Sequence, residues 1–450
     1  MITIYKAEYT FIDDRFHKDQ ALAVQGDHIL DIGSFAVLCS RYPEAIIEDW
    51  SGYALFPGTI NAHNHSFQSL LRGIATDEPF LVWRDQALYK YTPALDAQTL
   101  YAGALLAFGE MLKYGVTTVA DFFYVHGNGI ENDEAILKAA DDLGIRFVMA
   151  RTMYDWDGAP FSYRETVADA VTRTRTLAKR YAAHPRLTIH PAPHSPHAAS
   201  PEMIQAGHHL AKELDVPFHI HVAEEMFEVN DILRDYGARP IHYLDQLGVV
   251  DESLLAIHLV WLEQSEIDLL GARKASLAYC PSSNMFLADG VTKIPELLQA
   301  GVRIALGTDG GCSNNRISVF EEMRMTALLQ KVHRLDATAL GALDTLTMGT
   351  RNGAEILRLQ TGKIAPAYAA DFVALDLTDL SLQPFSPELL PAHIVYSMQP
   401  TAIRRVVIAG KEVMRDGAIL TVPEKRIRNL VADAQERFAQ IENTTSANQS

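Results

Sequence analysis

The chain has 450 residues, 48% of them hydrophobic, with a formal net charge of −17. Its length exceeds the ~100–200 residues of an ordinary domain, so one large α/β unit with a smaller companion is expected. The acidity excludes phosphate backbones and anionic bilayers as partners, leaving small-molecule substrates without nucleic acid or membrane. No apolar run reaches the ~20 residues of a membrane helix, and the N-terminus lacks a signal-peptide pattern. Cys39, Cys280 and Cys312 are odd in number and lack metal-type spacing, which suits a reducing cytoplasm.

Residues 1–55 hold short strand-like pieces, Ile2–Tyr5, Ala21–Val24 and Ile29–Ile32, punctuated by Gly26, Asp27 and Gly33. Near-continuous apolar runs then alternate with helical sequence. They are Leu55–Asn61, Val116–Phe123, Arg146–Tyr154, Leu187–His194, Pro217–Val222, Leu254–Val260, Ala275–Cys280 and Arg303–Gly307. Such runs mark strands covered on both faces. Between them lie amphipathic stretches such as Ala97–Lys113, stopped by Gly115, and Arg164–Tyr181. Eight strands, each followed by helical sequence, predict an α/β fold, a (β/α)8 TIM-type barrel over residues 56–360. The absence of a Gly-rich phosphate loop after the first strand weighs against an open doubly wound sheet. Strand texture returns at Asp371–Leu377 and Arg404–Met414, so residues 1–55 and 361–422 are expected to pair as halves of a small β-sandwich. Within 423–450, a peripheral helix to about Gln440 and a disordered tail from Asn443 are expected.

Four of the predicted strand ends carry metal-binding residue types: His63 with His65, His221, His258 and Asp309. Alternate side chains of a strand share a face, so His63 and His65 can hold one ion. With 17 histidines in the chain, one His-x-His pair carries little weight, and a second pair exists at His219 and His221. Placement on strands one, five, six and eight is what makes the set informative, because parallel β/α folds assemble their chemistry at that end. Two His from strand one, one from strand five and the Asp leave an open position for water, as in catalytic sites. Imidazole and carboxylate suit zinc or ferrous iron, and a bound ion lowers the pKa of water toward ~7. Glu224, three residues past His221, reads as a helix N-terminal carboxylate or as a proton shuttle, and its position favours the shuttle.

At these residues the chain resembles the amidohydrolase superfamily, in its cytosine-deaminase-like and chlorohydrolase-like branch. The likeness runs from Pro57-Gly58 and His63-x-His65 through Pro193-His194-Ser195-Pro196, Cys280-Pro281-Ser282-Ser283-Asn284, Gly307-Thr308-Asp309-Gly310 and Asn352-Gly353-Ala354 to Ala370-Asp371. It implies that His63, His65, His221 and Asp309 bind one divalent ion, zinc ahead of ferrous iron. It also implies that Glu224, His258 and Asp309 manage protons; strand-end placement alone leaves His258 open as a ligand. Two-metal relatives carry a bridging lysine on strand four, and Leu187–His194 contains none. The resemblance further implies substrate contacts from Gln68 and His194, and a homodimer or larger homo-oligomer.

Part of the sequence is similar to formimidoylglutamate deiminases: His65-Ser-Phe-Gln68, Val82-Trp83-Arg84-Asp85 and Phe123-Tyr124-Val125-His126. There Arg84 and Tyr124 would hold substrate, although Trp83 and Tyr124 read equally well as core aromatics. Those enzymes have a second Arg where this chain has His197, and neutral imidazole lacks the two-pronged guanidinium fork. The Cys-Pro-Ser-Ser-Asn and Thr-Asp-Gly-Gly segments look more like purine deaminases, yet Asp85 is the one carboxylate within Phe80–Tyr91 available to a ribose. The resulting expectation is a metal-dependent aminohydrolase that attacks an amidine-type C–N bond with hydroxide generated at the ion and releases ammonia from a purine, pterin, pyrimidine or triazine. Its alternatives are a formimino or guanidino hydrolase, a triazine chlorohydrolase and, remotely, a non-catalytic binding module. Asp155, Trp156 and Asp157 either project into the mouth or form a surface turn.

Overall fold

The computed structural model describes residues 1–447, with side chains through Ile441. The N-terminal segment forms β1 (Ile2–Ile12), β2 (Arg15–Lys18), β3 (Gln20–Gln25), β4 (His28–Ser34) and β5 (Ile46–Pro57). The middle forms β6 (Thr59–Asn64), β7 (Val116–Phe123), β8 (Arg146–Met153), β9 (Leu187–Pro193), β10 (Phe218–Val222), β11 (Leu254–His258), β12 (Ser276–Tyr279) and β13 (Arg303–Leu306). Then follow β14 (Phe372–Asp376), β15 (Ile403–Ile408), β16 (Lys411–Arg415) and β17 (Ala418–Ile419).

Both chain ends build one nine-stranded mixed sheet, ordered β17-β16-β15-β14-β5-β1-β3-β4 with β2 on β1. The two ends meet where β14 pairs antiparallel with β5, Val373 opposite Phe56. One face carries its own core, with Trp50 edge-on to Tyr5 at 4.9 Å and Phe372 beside both. The sheet curls far enough that Ile29 N donates to Tyr368 O and Ala370 N to Asp27 O.

The middle strands form two parallel sheets, β6-β7-β8-β9 and β10-β11-β12-β13. Apart from Thr188 and Arg303 their residues are buried, as sheets covered on both faces require. Backbone bonds join the sheets at both edges, His221 N to His194 O at 3.0 Å and Thr308 N to His63 O at 3.0 Å. Helices connect the strands. Ala97–Lys113 starts at an Asp96 capping box and ends before Gly115, at φ +73°, as its sequence predicts. Val167–Tyr181 starts later than expected because Thr166 caps it.

The expected first barrel strand, Leu55–Asn61, is a misreading. Its first three residues belong to β5 in the mixed sheet, and β6 begins at Thr59. Gly58 marks the break. Its N–H donates to Asp371 O, and a Cβ there would lie 2.1 Å from the Thr117 side chain. The C-terminal helix spans Glu424–Ala447, so the tail expected from Asn443 is helical up to Ala447, and Asn448–Ser450 lie outside the described residues. Among the described residues no helix is long and apolar enough to cross a membrane.

Two buried ionic clusters tie these layers together. Arg146 on β8 donates from Nε to Asp371 Oδ2 at 2.7 Å and from a terminal nitrogen to Oδ1 at 3.2 Å. Asp371 also accepts the Ala409 N–H and the Thr361 hydroxyl, so it pins the mixed sheet to β8. Arg151, fully buried, is clamped by Glu165 at 2.8 and 2.9 Å and by Asp133 at 2.9 Å. Burial opposes ionisation of Glu165, but His126 and Arg151 bring its pKa down to about 2.

Removing one partner strands a buried charge, at a cost of roughly 3–5 kcal/mol. Asp371→Ala is therefore expected to lose about that much stability in urea unfolding. The folded-state pKa of Glu165 lies below its ordinary 4.5, so its contribution is complete above pH 4.5 and fades as pH falls toward about 2. Glu165→Gln should lose stability less steeply with acid across that window, as followed by circular dichroism.

Candidate active site

Strand ends converge where the two parallel sheets meet. β6 carries His63 and leads into His65, β10 carries His221, β11 ends in His258, and Asp309 lies three residues beyond β13. Asn61 locks this arrangement: its Oδ1 accepts Thr308 N at 3.0 Å while its Nδ2 donates to Thr308 Oγ1 at 2.7 Å. Ala223, His258, Leu259 and Asp309 all have positive φ, between 50° and 71°. Such backbone is unfavourable by ~1–3 kcal/mol per residue and concentrates at functional sites, where packing holds it in place.

Hydrogen-bond partners define the imidazole tautomers. His65 Nδ1 donates to Phe122 O at 2.6 Å and His221 Nδ1 to His194 O at 3.1 Å, which leaves each Nε2 bare. His221 Nε2 lies 3.2 Å from His63 Nε2. Asp309 Oδ1 lies 3.3 Å from His63 Nε2 and 3.2 Å from His65 Nε2. Lone pairs and a carboxylate packed this closely in a buried site repel one another unless a cation sits among them. The donor set fits a divalent ion of the zinc type, with backbone carbonyls holding two of the rings from behind. The ligand-type atoms fall into two overlapping groups, His63, His65 and His221, and His63, His258 and Asp309, each within 4.8 Å.

Two carboxyls of the site are driven in opposite directions. Burial alone would raise the pKa of Asp309, yet the His63 and His65 imidazoles beside it hold it well below the carboxylate range. Ser283 and Ser313 hydroxyls donate to its Oδ2 at 2.6 and 2.7 Å. Glu224 is pushed well above that range by burial, then by the fields of Asp289, Glu228 and Asp309. Its Oε1 lies 3.3 Å from His258 Nε2, while His258 Nδ1 faces Asn284 Oδ1 at 2.9 Å. With Nδ1–H given to Asn284, that 3.3 Å contact is favourable only with a proton between Glu224 and His258. Burial lowers His63 to about 3 and depresses His221 and His194 well below the usual histidine value.

A cavity of about 400 Å³ opens over these groups. All six residues expected to touch substrate line it: Gln68, Trp83, Arg84, Tyr124, His194 and His197. Gln68 Nε2 donates to Tyr124 Oη at 3.2 Å, and Cys312 Sγ donates to Gln68 Oε1 at 3.3 Å. Trp83 donates to Cys312 O at 3.0 Å while keeping a face in the cavity. Arg84 is paired with Asp85 at 2.8 Å and stacked 4.7 Å over Tyr89. The segment after β8 divides: Trp156 lines the cavity, Asp155 binds Ser200, and Asp157 is exposed beside Arg164.

Sequence reasoning missed Tyr89, Tyr154, Tyr163, Phe227 and Glu228, which also line the cavity. The first four lie on connecting segments where no spacing announces direction. Glu228 had a signal. It follows Glu224 by four residues, and its Oε2 accepts the Glu224 N–H at 3.1 Å.

A cavity that encloses histidine and carboxylate donors at parallel strand ends, beside a proton held between Glu224 and His258, defines a hydrolytic enzyme. The amidohydrolase family profile matches residues 54–413, and the chain belongs to that family, hydrolases of carbon–nitrogen bonds other than peptide bonds. It is 36% identical over 389 residues to the 5'-deoxyadenosine deaminase of Methanothermobacter thermautotrophicus, covering 86% of this chain and 88% of the relative. It is 33% identical over 431 residues to the 5-methylthioadenosine/S-adenosylhomocysteine deaminase of Pelotomaculum thermopropionicum, covering 96% of each. The solved structure of an adenosine deaminase from Xanthomonas campestris with bound zinc aligns with a TM-score of 0.88 at 30% identity, covering 98% of each chain.

Gly310 tests how tightly Gln68 is seated, because a Cβ there would lie 1.6 Å from Gln68 Oε1. Gly310→Ala should lose ~1–3 kcal/mol by overpacking, measured by chemical denaturation. The far end of Gln68 must swing away to relieve the clash.

Proposed function

We propose that the chain is a mononuclear aminohydrolase that deaminates an aminated purine or a closely related heterocycle. Burial of both parallel sheets and their backbone bonds at both edges support a closed (β/α)8 barrel. The curl of the mixed sheet around its own core supports a β-sandwich beside it. His63, His65, His221 and Asp309 would hold one divalent ion, zinc ahead of ferrous iron. When bound, that ion acts as a Lewis acid and supplies ionised water near neutral pH.

The protein's own groups divide the remaining work. Glu224, whose carboxyl keeps its proton, delivers it to the ring nitrogen next to the amino-bearing carbon as the water oxygen bonds to that carbon. Asp309, held ionised, takes the last proton of the attacking oxygen and passes it to the amino group, and the proton lost when the next water ionises restores Glu224. The C–N bond breaks, ammonia leaves, and the carbon keeps the oxygen as a carbonyl. His258 Nε2, bare once Glu224 has given up its proton, accepts an O–H of the attacking water oxygen and steadies it. Trp83, Tyr124 and the tyrosines around them enclose the ring and exclude bulk water.

The observation that carries this reading is the opposed setting of the two carboxyls, Glu224 Oε1 3.3 Å from His258 Nε2 with other acids near it and Asp309 Oδ1 3.3 and 3.2 Å from His63 Nε2 and His65 Nε2. Acid and base are thereby assigned by their surroundings. The deaminase names of the relatives support a purine. Arg84 bears on the formimidoylglutamate reading. It is already engaged by Asp85 and Tyr89, and His197 stands where that reading needs a second guanidinium. A cytoplasmic homo-oligomer is the setting proposed from family resemblance.

Zinc-loaded protein is expected to release ammonia from adenine nucleosides or other aminated purines, in preference to pterins, triazines and formimino acids. Turnover confined to formimino acids, or chloride release from a chlorotriazine alone, would overturn the proposal. Glu224→Gln should lower kcat by ~10²–10⁴ with little change in KM, the pattern of a lost transition-state proton. His63→Ala should fail to retain zinc through dialysis, as read by elemental analysis, and should lose turnover with it.

A further inference from the structure

One cavity wall carries a chain of polar groups that the proposed reaction leaves unused. His194 Nδ1 lies 3.0 Å from Ser195 Oγ, and Ser195 Oγ lies 3.3 Å from His197 Nε2. His197 Nδ1 lies 3.4 Å from Glu228 Oε1. His194 Nε2, at the other end, has no protein hydrogen-bond partner among the described residues, and His194 lines the cavity. Glu228 takes backbone N–H groups of Glu224 and Glu225 at the start of its helix, and its Oε1 also approaches His197.

Such a chain has a direction. Above the ordinary histidine pKa of ~6.5 each imidazole is neutral with a single N–H, and the Ser195 hydroxyl can donate to only one of its two ring neighbours. A carboxylate 3.4 Å from His197 Nδ1 attracts an N–H there and repels a lone pair. His197 Nε2 is then bare and accepts the one hydroxyl proton of Ser195. Ser195 Oγ in turn accepts His194 Nδ1–H. We propose that Glu228, acting through His197 and Ser195, fixes His194 as its Nδ1–H tautomer and makes His194 Nε2 a hydrogen-bond acceptor for the substrate. The site therefore selects a heterocycle with a donor on the side facing His194, whether a ring N–H, a second amino group or a sugar hydroxyl. An isostere with an acceptor there would set two lone pairs against each other.

Glu228, His197 and Ser195 are positioning residues. The inference rests on reading the cavity as a deaminase site, but its test needs no turnover. Zinc-loaded full-length protein labelled with 15N-histidine is examined by two-bond 1H–15N correlation at pH 8.5, above the about 7 to which burial pushes Glu228. His194 signals are assigned with His194→Asn. The expected wild-type pattern is a protonated Nδ1 and a bare Nε2, converted to the other tautomer or an average of both in His197→Phe and in the smaller change Ser195→Ala. Protonated Nε2 in the wild type overturns the inference, and so does an unchanged pattern in both variants. Wild-type protein alone decides the first point, so misfolding of a variant leaves the test intact. Failure of ammonia release would instead refute the proposed function.

Discussion

The carbonyl oxygen of His63 accepts two backbone N–H groups, from Thr308 at 3.0 Å and Asp309 at 3.1 Å. That double bond from β6 to the turn after β13 brings the first and last parallel strands to the same point. Asn61 reinforces it with two side-chain bonds to Thr308. Asp309 Oδ1 consequently sits between His63 and His65, and the geometry at the site depends on that contact. Its left-handed backbone, shared by Ala223, His258 and Leu259, is the local cost of aiming side chains inward just past the strand ends.

Burial turns this convergence into chemistry. In a weakly polarisable interior each neighbour acts strongly: burial pushes both Asp309 and Glu224 up, and only the neighbours of Asp309 reverse it. Asp309 has imidazoles and serine hydroxyls around it; Glu224 has four other acids nearby and one histidine to share a proton with. In the proposed reaction identical functional groups thus serve as base and acid through their partners alone. A similar logic runs along the cavity wall, where the Glu228 contact gives direction to a chain of otherwise ambivalent donors and acceptors.

Much of the fold was legible because strands buried on both faces leave continuous apolar runs. Val116–Phe123 is such a run and is β7 with the same bounds. Asp96 and Gly115 bracketed their helix because capping chemistry is local. Leu55–Asn61 misled, since apolar residues on both sides of Gly58 belong to different sheets and hydrophobicity cannot tell one buried sheet from another. The eleven-residue β1 was read as the short piece Ile2–Tyr5, because Lys6 and Glu8 interrupt the pattern on its partly exposed face. Tyr154 just past β8, Tyr163 in a single helical turn and Phe227 at the start of the Met226–Tyr236 helix gave no warning, as their directions follow from how these connecting pieces pack rather than from periodicity.

The sequence by itself determined the inventory and order of chemistry: which imidazoles and acids close apolar runs, and hence which could meet at one end of a parallel fold. Strand period and strand polarity are local properties, so that much is written in neighbouring residues. Tertiary structure alone decided the distances, the tautomers and the protonation bias, along with the enclosure of the cavity by segments far apart in the chain. Those quantities depend on fields and contacts summed over residues hundreds of positions away, and no local pattern encodes such a sum.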